Sequence, residues 1–330
     1  MRMLHPIVHP ATLATIHCTE LTESMTTPLL TIGTRGSPLA LWQANATRAA
    51  LVRAHDLNEA DVAVEVIRTT GDTIQDRPLS EAGGKGLFTK EIEDALLDRR
   101  IDLAVHSSKD MPTHHRQGLV LSGCLPRADA RDAYIGPGQG PADLPEEAVV
   151  GTASLRRQAL VRRLRPDLKV VPFRGNVETR LRKLREGEVA ATFLAMAGLI
   201  RLGLDHHARP LETDDFLPAI GQGAIGLEIR SGDTRVQDLL APILDADTGI
   251  RLAAERAFLE VLDGSCRTPI AGLAVIEDGL LSFKGRVLTP DGERMWEAFR
   301  SGAPEEAARL GADAGHEIRS MLPAGVLTWV

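Results

Sequence analysis

Aromatic residues make up only 3% of the 330-residue chain, and tyrosine occurs once. Proteins that hold single-stranded nucleic acid stack bases on aromatic platforms, so that class is excluded. The formal net charge of -7 points the same way and argues against an anionic membrane surface as partner. Three cysteines, Cys18, Cys124 and Cys266, show neither paired metal-ligand spacing nor the density of a disulfide framework. No metal site is expected, and a reducing, cytoplasmic setting fits. No apolar run is long enough to span a bilayer. Residues 1–24 mix His, Thr and Pro without periodicity and lack the apolar centre of a secretory signal. They read as a disordered extension up to about residue 27, or as sequence upstream of a start at Met25.

What is present is a regular α/β pattern. Leu29–Thr34 reads as a strand, Ser37-Pro38 as a helix start, and Pro38–His55 as a helix. Its inward stripe is expected at Leu39, Trp42, Ala46, Ala49 and Ala50. A strand at Val62–Ile67, a polar segment Thr69–Gly86, a helix Leu87–Arg99 and a strand running into Lys109-Asp110 complete a βαβαβ half. A Gly/Pro-rich stretch, Pro126–Pro145, reads as a linker. A second half follows, with strands at Ala148–Gly151, Lys169–Phe173 and Val189–Leu194 and helices at Ser154–Arg165 and Val177–Arg185. Ile220–Gly226 leads into a strand expected to cross back into the first sheet. After Asp247 come a helix, three strands and a last helix. The expected fold is two doubly wound α/β lobes with a cleft between them, plus a small C-terminal α+β domain. The expected bounds are 28–125 with 222–243, 130–218, and 247–330.

Ligands in such sheets collect beyond the carboxyl ends of strands, where Lys109 and Asp110 stand, closed off by Pro112. Arg35, Arg156, Arg157 and Arg174 fall at similar strand-end or helix-start positions, where cations oppose the helix dipole and call for another reason. Arg162, Arg163, Arg182, Lys183 and Arg185 read as a solvated helix face. His106 reads as a packed strand-end histidine. Gly83-Gly84-Lys85-Gly86 lacks the spacing and hydroxyl of a phosphate loop. The residues alone therefore indicate a basic cleft for a polyanion. They leave open an enzyme, a solute-binding protein, or a Schiff-base enzyme using Lys109.

Seven stretches, in order, resemble the porphobilinogen deaminase (hydroxymethylbilane synthase) family. They are Thr34–Gln43, Gly83–Phe88, Val105–Asp110, Gly151–Gln158, Arg174–Val177, Gly221–Ala224 and Gly264–Cys266. The resemblance covers the chain from about Leu29 onward and implies lobes like those of periplasmic binding proteins. It implies a monomer carrying a dipyrromethane cofactor joined by a thioether to Cys266, on which four porphobilinogen units are condensed head to tail with loss of ammonia. Hydrolysis then releases hydroxymethylbilane. It further implies Asp110 as the catalytic carboxylate facing the azafulvene cation left by ammonia. Cofactor contacts are implied for Lys109, Ser107, Thr152, Ser154, Arg156, Arg157, Arg174, Gly175 and Gln222. Porphobilinogen and the growing chain would be met by Arg35, Ser37, Lys85, Phe88, Arg180 and Arg201. Glu81 departs from the pattern, standing where members often carry a second lysine.

Overall fold

The computed structural model describes residues 28–73, 88–262 and 268–323. The expected N-terminal extension, the glycine-rich stretch with Glu81 and Lys85, and the turn with Cys266 lie outside the described residues. In chain order, the first lobe opens with β1 (Leu30–Thr34), α1 (Pro38–His55), β2 (Val62–Val66) and the single-turn α2 (Thr70–Thr73). It continues with α3 (Lys90–Leu97), β3 (Leu103–Ser107) and β4 (Leu119–Cys124). The chain then enters the second lobe: β5 (Asp132–Ile135), β6 (Val149–Gly151), α4 (Leu155–Leu164), β7 (Lys169–Val171), α5 (Val177–Arg185), β8 (Ala191–Ala195), α6 (Met196–Arg201) and β9 (Arg209–Pro210). It returns as β10 (Ile225–Arg230), followed by α7 (Thr234–Leu240). A third unit comprises α8 (Ala246–Val261), β11 (Ile270–Glu277), β12 (Leu280–Leu288), β13 (Met295–Gly302) and α9 (Ala307–Met321).

The two lobe sheets share one plan, with strand orders β2-β1-β3-β10-β4 and β7-β6-β8-β5-β9. In each, three parallel strands meet one antiparallel strand that arrives from the other lobe. The return of β10 to the first sheet follows the sequence expectation. The stretch Pro126–Pro145 does not behave as a linker throughout. It contains β5, buried along its whole length between β8 and β9. Gly136, Pro137, Gly138, Gly140 and Pro141 follow β5, and their abundance masks a four-residue strand in any composition average. The connection proper is the short run after Cys124. It bonds to the returning segment, with Arg127 Nε donating to the Gln222 carbonyl (3.0 Å) and Ala128 N–H to that of Gly223 (3.2 Å).

Helix α1 has the expected bounds but a different inner face. Ala40, Gln43, Ala44, Thr47 and Leu51 are buried, and Trp42 is 40% exposed. Alanines lie on both sides of this helix, so apolar spacing does not select a face. Gln43 and Thr47 go inward because their polar atoms are satisfied there: Gln43 Nε2 donates to Ser107 Oγ (2.9 Å), and Thr47 Oγ1 to the Gln43 carbonyl (2.9 Å). Arg162 departs from the expected solvated face by being half-buried, whereas Arg163 is exposed as expected. Their guanidinia donate to the carbonyls of Pro290 (2.8 Å) and Gly292 (3.4 Å) in the β12–β13 turn, pinning the third unit to α4. That unit buries Ala254 and Phe258 of α8 and Leu310, Ala314 and Ile318 of α9 against Phe283, Val287 and Ala298 of its sheet. No helix among the described residues is long and apolar enough to cross a membrane.

Candidate active site

Strands β1 and β3 run parallel as neighbours, so the segments leaving them emerge at the same sheet edge. After β1, Ser37 caps α1, its Oγ accepting from Ala40 N–H (3.3 Å), with Pro38 at the first helical position. Arg35, just before the cap, lies over the Phe88 ring, 4.1 Å from its centroid. After β3 the chain makes a 3₁₀ turn, Ser108–Asp110, anchored by Ser108 N–H to the Ala224 carbonyl (3.0 Å) and closed by Met111 N–H to the Ser108 carbonyl (3.2 Å). Gly221, at φ +70°, packs on this turn. A Cβ there would stand 3.2 Å from Lys109 N, so only glycine lets the returning segment pass so close.

From the other lobe, β6 ends at Gly151 and Ser154 caps α4, accepting from Arg157 N–H (3.4 Å). Thr152 is buried, its Oγ1 accepting from Ser154 N–H (3.2 Å). The next two helix-starting residues are Arg156 and Arg157, both buried. They converge on Asp132 of β5: Arg156 Nη1 reaches Oδ2 at 2.6 Å and Arg157 Nη2 reaches Oδ1 at 2.7 Å. Burial alone would raise the Asp132 pKa, but the two guanidinia outweigh it and hold the carboxyl well below the usual carboxylate range. The pair also donate to the Leu217 and Phe193 carbonyls (2.8 Å each). Arg156 Nε is buried with no hydrogen-bond partner. Two cations around one anion leave a net positive charge in the wall.

Gln222 joins the lobes here. Its Nε2 donates to Asp132 Oδ1 (3.1 Å) and the Ala130 carbonyl (2.8 Å), and its Oε1 accepts from Lys109 Nζ (3.4 Å). Lys109 and Asp110 are open to solvent, yet protein surrounds them on several sides. Loss of hydration, then the nearby Arg157 charge, brings the Lys109 ammonium down to about 8, against the opposing pull of Asp110 and Asp132. Arg180, on α5, is lowered to about 10 by burial and by Arg157 and Arg174, with Asp110 opposing; its Nε donates to the Gly175 carbonyl (2.7 Å). Cations gathered closely enough to disfavour one another, beyond the effect of burial, mark a site suited to an anion.

The structure thus brings together Lys109, Asp110, Gln222, Arg156, Arg157, Arg174, Gly175 and Arg180. Ser107 stands one residue from the turn and exchanges hydrogen bonds with Gln43. Ser37 and Ser154 spend their hydroxyls on caps. Arg201 donates to the Gly223 carbonyl (2.7 Å) and lies 5.5 Å from the Trp42 ring centroid, which places it at the inter-lobe crossing. Cys266 and Lys85 lie outside the described residues. Sequence reasoning missed Asp132, because its strand was read as linker, and Gln43, because it was absent from the expected inner face of α1. An acid heading the short apolar run Asp132–Ile135 was the available signal. Among the described residues no His/Cys/Asp/Glu cluster could hold a metal ion.

The profile described as porphobilinogen deaminase, dipyromethane cofactor binding domain, matches residues 30–238, and that of the porphobilinogen deaminase C-terminal domain matches residues 250–320. The porphobilinogen deaminase of Nitrobacter winogradskyi is 57% identical over 293 residues, 88% of this chain and 93% of its own. That of Paracoccus denitrificans is 54% identical over 300 residues, 90% and 96%. Among solved structures, the periplasmic aliphatic sulphonate binding protein SsuA from Escherichia coli aligns with a TM-score of 0.39 and 16% identity over 70% of this chain and 69% of its own. The matched profiles run through both lobes and the third unit, and the identity is high over nine-tenths of the length: the chain belongs to the porphobilinogen deaminase family.

Proposed function

We propose that this cleft condenses four porphobilinogen units head to tail, with loss of ammonia at each addition, and that hydrolysis then frees hydroxymethylbilane. The observation that carries the reading is the gathering of Lys109, Arg156, Arg157 and Arg180 about Asp110 and Asp132, linked through Gln222; burial first, and then the neighbouring guanidinia, lower the pKa of Lys109 and Arg180. Porphobilinogen bears an acetate and a propionate on each ring, so every addition brings two more negative charges into the cleft. The family's dipyrromethane fits the same chemistry. It would be held by Lys109, Arg156, Arg157 and Arg174, with Ser107, Thr152, Ser154, Gly175 and Gln222 beside them, and tethered at Cys266. The unpartnered buried Nε of Arg156 and the net charge of the Asp132 cluster are suited to such carboxylates. When bound, the cofactor supplies the pyrrole carbon to which the first unit is joined.

The chain's own residues then divide the work. Arg35, Ser37, Arg180 and Arg201, with Lys85 and Phe88, orient the incoming carboxylates. Asp110, next to the ligand-holding Lys109, faces the cation created as ammonia departs from the substrate, and its fixed negative charge lowers the energy of that developing charge. We take 28–125 with 222–243, 130–218 and 247–330 as the three domains, and a cytoplasmic monomer that binds neither nucleic acid nor membrane as the working form. A two-lobed binding protein for a small anion would leave the Asp110 carboxylate, set among anion-seeking cations, without a task.

Intact-protein mass spectrometry on the full chain tests the proposal. The expected mass exceeds that of the sequence by two linked pyrrole units and survives denaturation and reductant. Cys266→Ser is expected to lose both the extra mass and ammonia release from porphobilinogen, while Cys124→Ser keeps both. An unmodified Cys266 in a chain that consumes porphobilinogen at full rate would sink the tether.

A further inference from the structure

Glu228 is fully buried in the middle of the first lobe's sheet. The β3–β10 register pairs Gly226 with His106 and Glu228 with Ala104, so the side chains of residues 106 and 228 are diagonal neighbours on one face. His106 Nε2 lies 3.1 Å from Glu228 Oε2, and His115 Nδ1 lies 3.1 Å from Oε1. Arg256 of α8 completes the set. One of its terminal nitrogens faces His115 Nε2 (3.1 Å) and the carbonyls of Pro112 (3.0 Å) and Thr113 (2.9 Å). A guanidinium only donates, so His115 Nε2 accepts and its Nδ1 carries the proton given to Glu228. Burial would raise the Glu228 pKa, but hydrogen bonds from the two imidazoles hold it down at about 2.

A buried, charged carboxylate at this place is costly, and apolar residues of similar volume would suit stability as well or better. What the network does join is specific. His106 stands three residues before Lys109 and four before Asp110; Pro112, Thr113 and His115 come directly after the turn. Arg256 sits on the helix that leads to Cys266, ten residues further on. The Lys109-Asp110 turn is therefore held on both sides by groups that meet at Glu228 and Arg256. Among the described residues, no hydrogen bond or ion pair joins these four to Asp132, Arg156 or Arg157.

We infer that Glu228, His106, His115 and Arg256 form a positioning relay that sets the Asp110 carboxylate in register with α8, the helix that precedes Cys266 in the sequence. The inference rests on the function proposed above. The four are positioning residues: Glu228 has no exposed surface through which to meet a substrate. A relay of this kind acts on the rate of coupling and leaves substrate capture to the arginines of the cleft.

The test uses the full, cofactor-bearing chain, with kcat expressed per covalently attached primer. In Arg256→Met, which keeps the side-chain stem, and in Glu228→Gln, the expected result is kcat lower by about 10²-fold with KM for porphobilinogen within about twofold. Arg256→Lys, which keeps the cation and some donors, is expected to recover about tenfold of that loss and serves as the readout if the larger changes prevent folding. A network with a structural role alone would lower the melting temperature and leave kcat per primer at the parent value. That result in the folded variants overturns the relay, as does a folded Arg256→Met chain that carries no primer. A parent chain that consumes no porphobilinogen overturns the underlying function as well. An active parent matched by its variants overturns the relay alone.

Discussion

Asp110 and Lys109 are adjacent in sequence, and the proposed function gives them opposite tasks. Asp110→Asn keeps the shape of the side chain and removes the charge proposed to face the developing cation. Loss of one preorganised electrostatic stabiliser costs on the order of 10²–10³ in kcat, which is the expected fall in ammonia release, with primer still attached. Near-parent turnover would take Asp110 out of the mechanism. Loss of hydration beside the surrounding protein, and then the Arg157 charge, bring the Lys109 ammonium down to about 8. It is a cation below that value and becomes neutral as the pH rises through it, so its grip on carboxylates fades on the alkaline side. Because Lys109 is assigned to the primer's carboxylates, kcat per attached primer is expected to fall from about pH 7 to about pH 9, and Lys109→Met, with no proton to lose, to flatten that fall. An unaltered fall in the variant would assign the dependence to another group.

Helix α4 is the element on which the second lobe's share of the site depends. Its N-terminal turn presents Arg156 and Arg157, and its C-terminal turn is gripped by the β12–β13 hairpin through Arg162 and Arg163. Gly292 makes that grip possible. It has φ +79°, and a Cβ on it would lie 2.4 Å from the Ala159 carbonyl oxygen and 2.8 Å from Arg163 N. Both are backbone atoms of a helix and cannot swing aside. Gly292→Ala therefore faces a left-handed conformation, worth roughly 1–2 kcal/mol, before any clash is counted. Urea unfolding is expected to show a loss of at least that size, and a variant as stable as the parent would mean that the hairpin stands off the helix.

Glu255 of α8 ties the whole molecule together. Its carboxylate takes both terminal nitrogens of Arg127 (2.6 and 3.1 Å) from the outgoing crossing, Gly221 N–H (2.7 Å) from the returning one, and Ala274 N–H (3.0 Å) from β11. Both inter-lobe connections and the third unit thus converge on one buried carboxylate. Arg127→Leu strands that charge, and breaking a buried pair costs about 3–5 kcal/mol. Calorimetry is expected to show a lower midpoint and a trace resolved into separate transitions as the units uncouple. One transition at the parent midpoint would show that the units are held by apolar packing alone.

Short-range chemistry determined much that could be read along the chain. Ser37 with Pro38 starts α1, and Ser154 and Asn176 start α4 and α5, each oxygen accepting from a backbone N–H three residues on. Such contacts close within one turn, so they are written locally, and these helices begin where the sequence places them. The cationic cleft was legible too, because strand ends and helix starts mark positions as well as elements. Only the tertiary structure decided the partners. Asp132 lies 24 and 25 residues from the arginines it holds, and Glu228 lies 122 from His106. Trp42 faces outward and Gln43 inward because Ser107, 64 residues away, completes the bonds of Gln43. A buried charge is tolerable only where a counter-charge arrives, and nothing in the neighbouring sequence says from which element it will come.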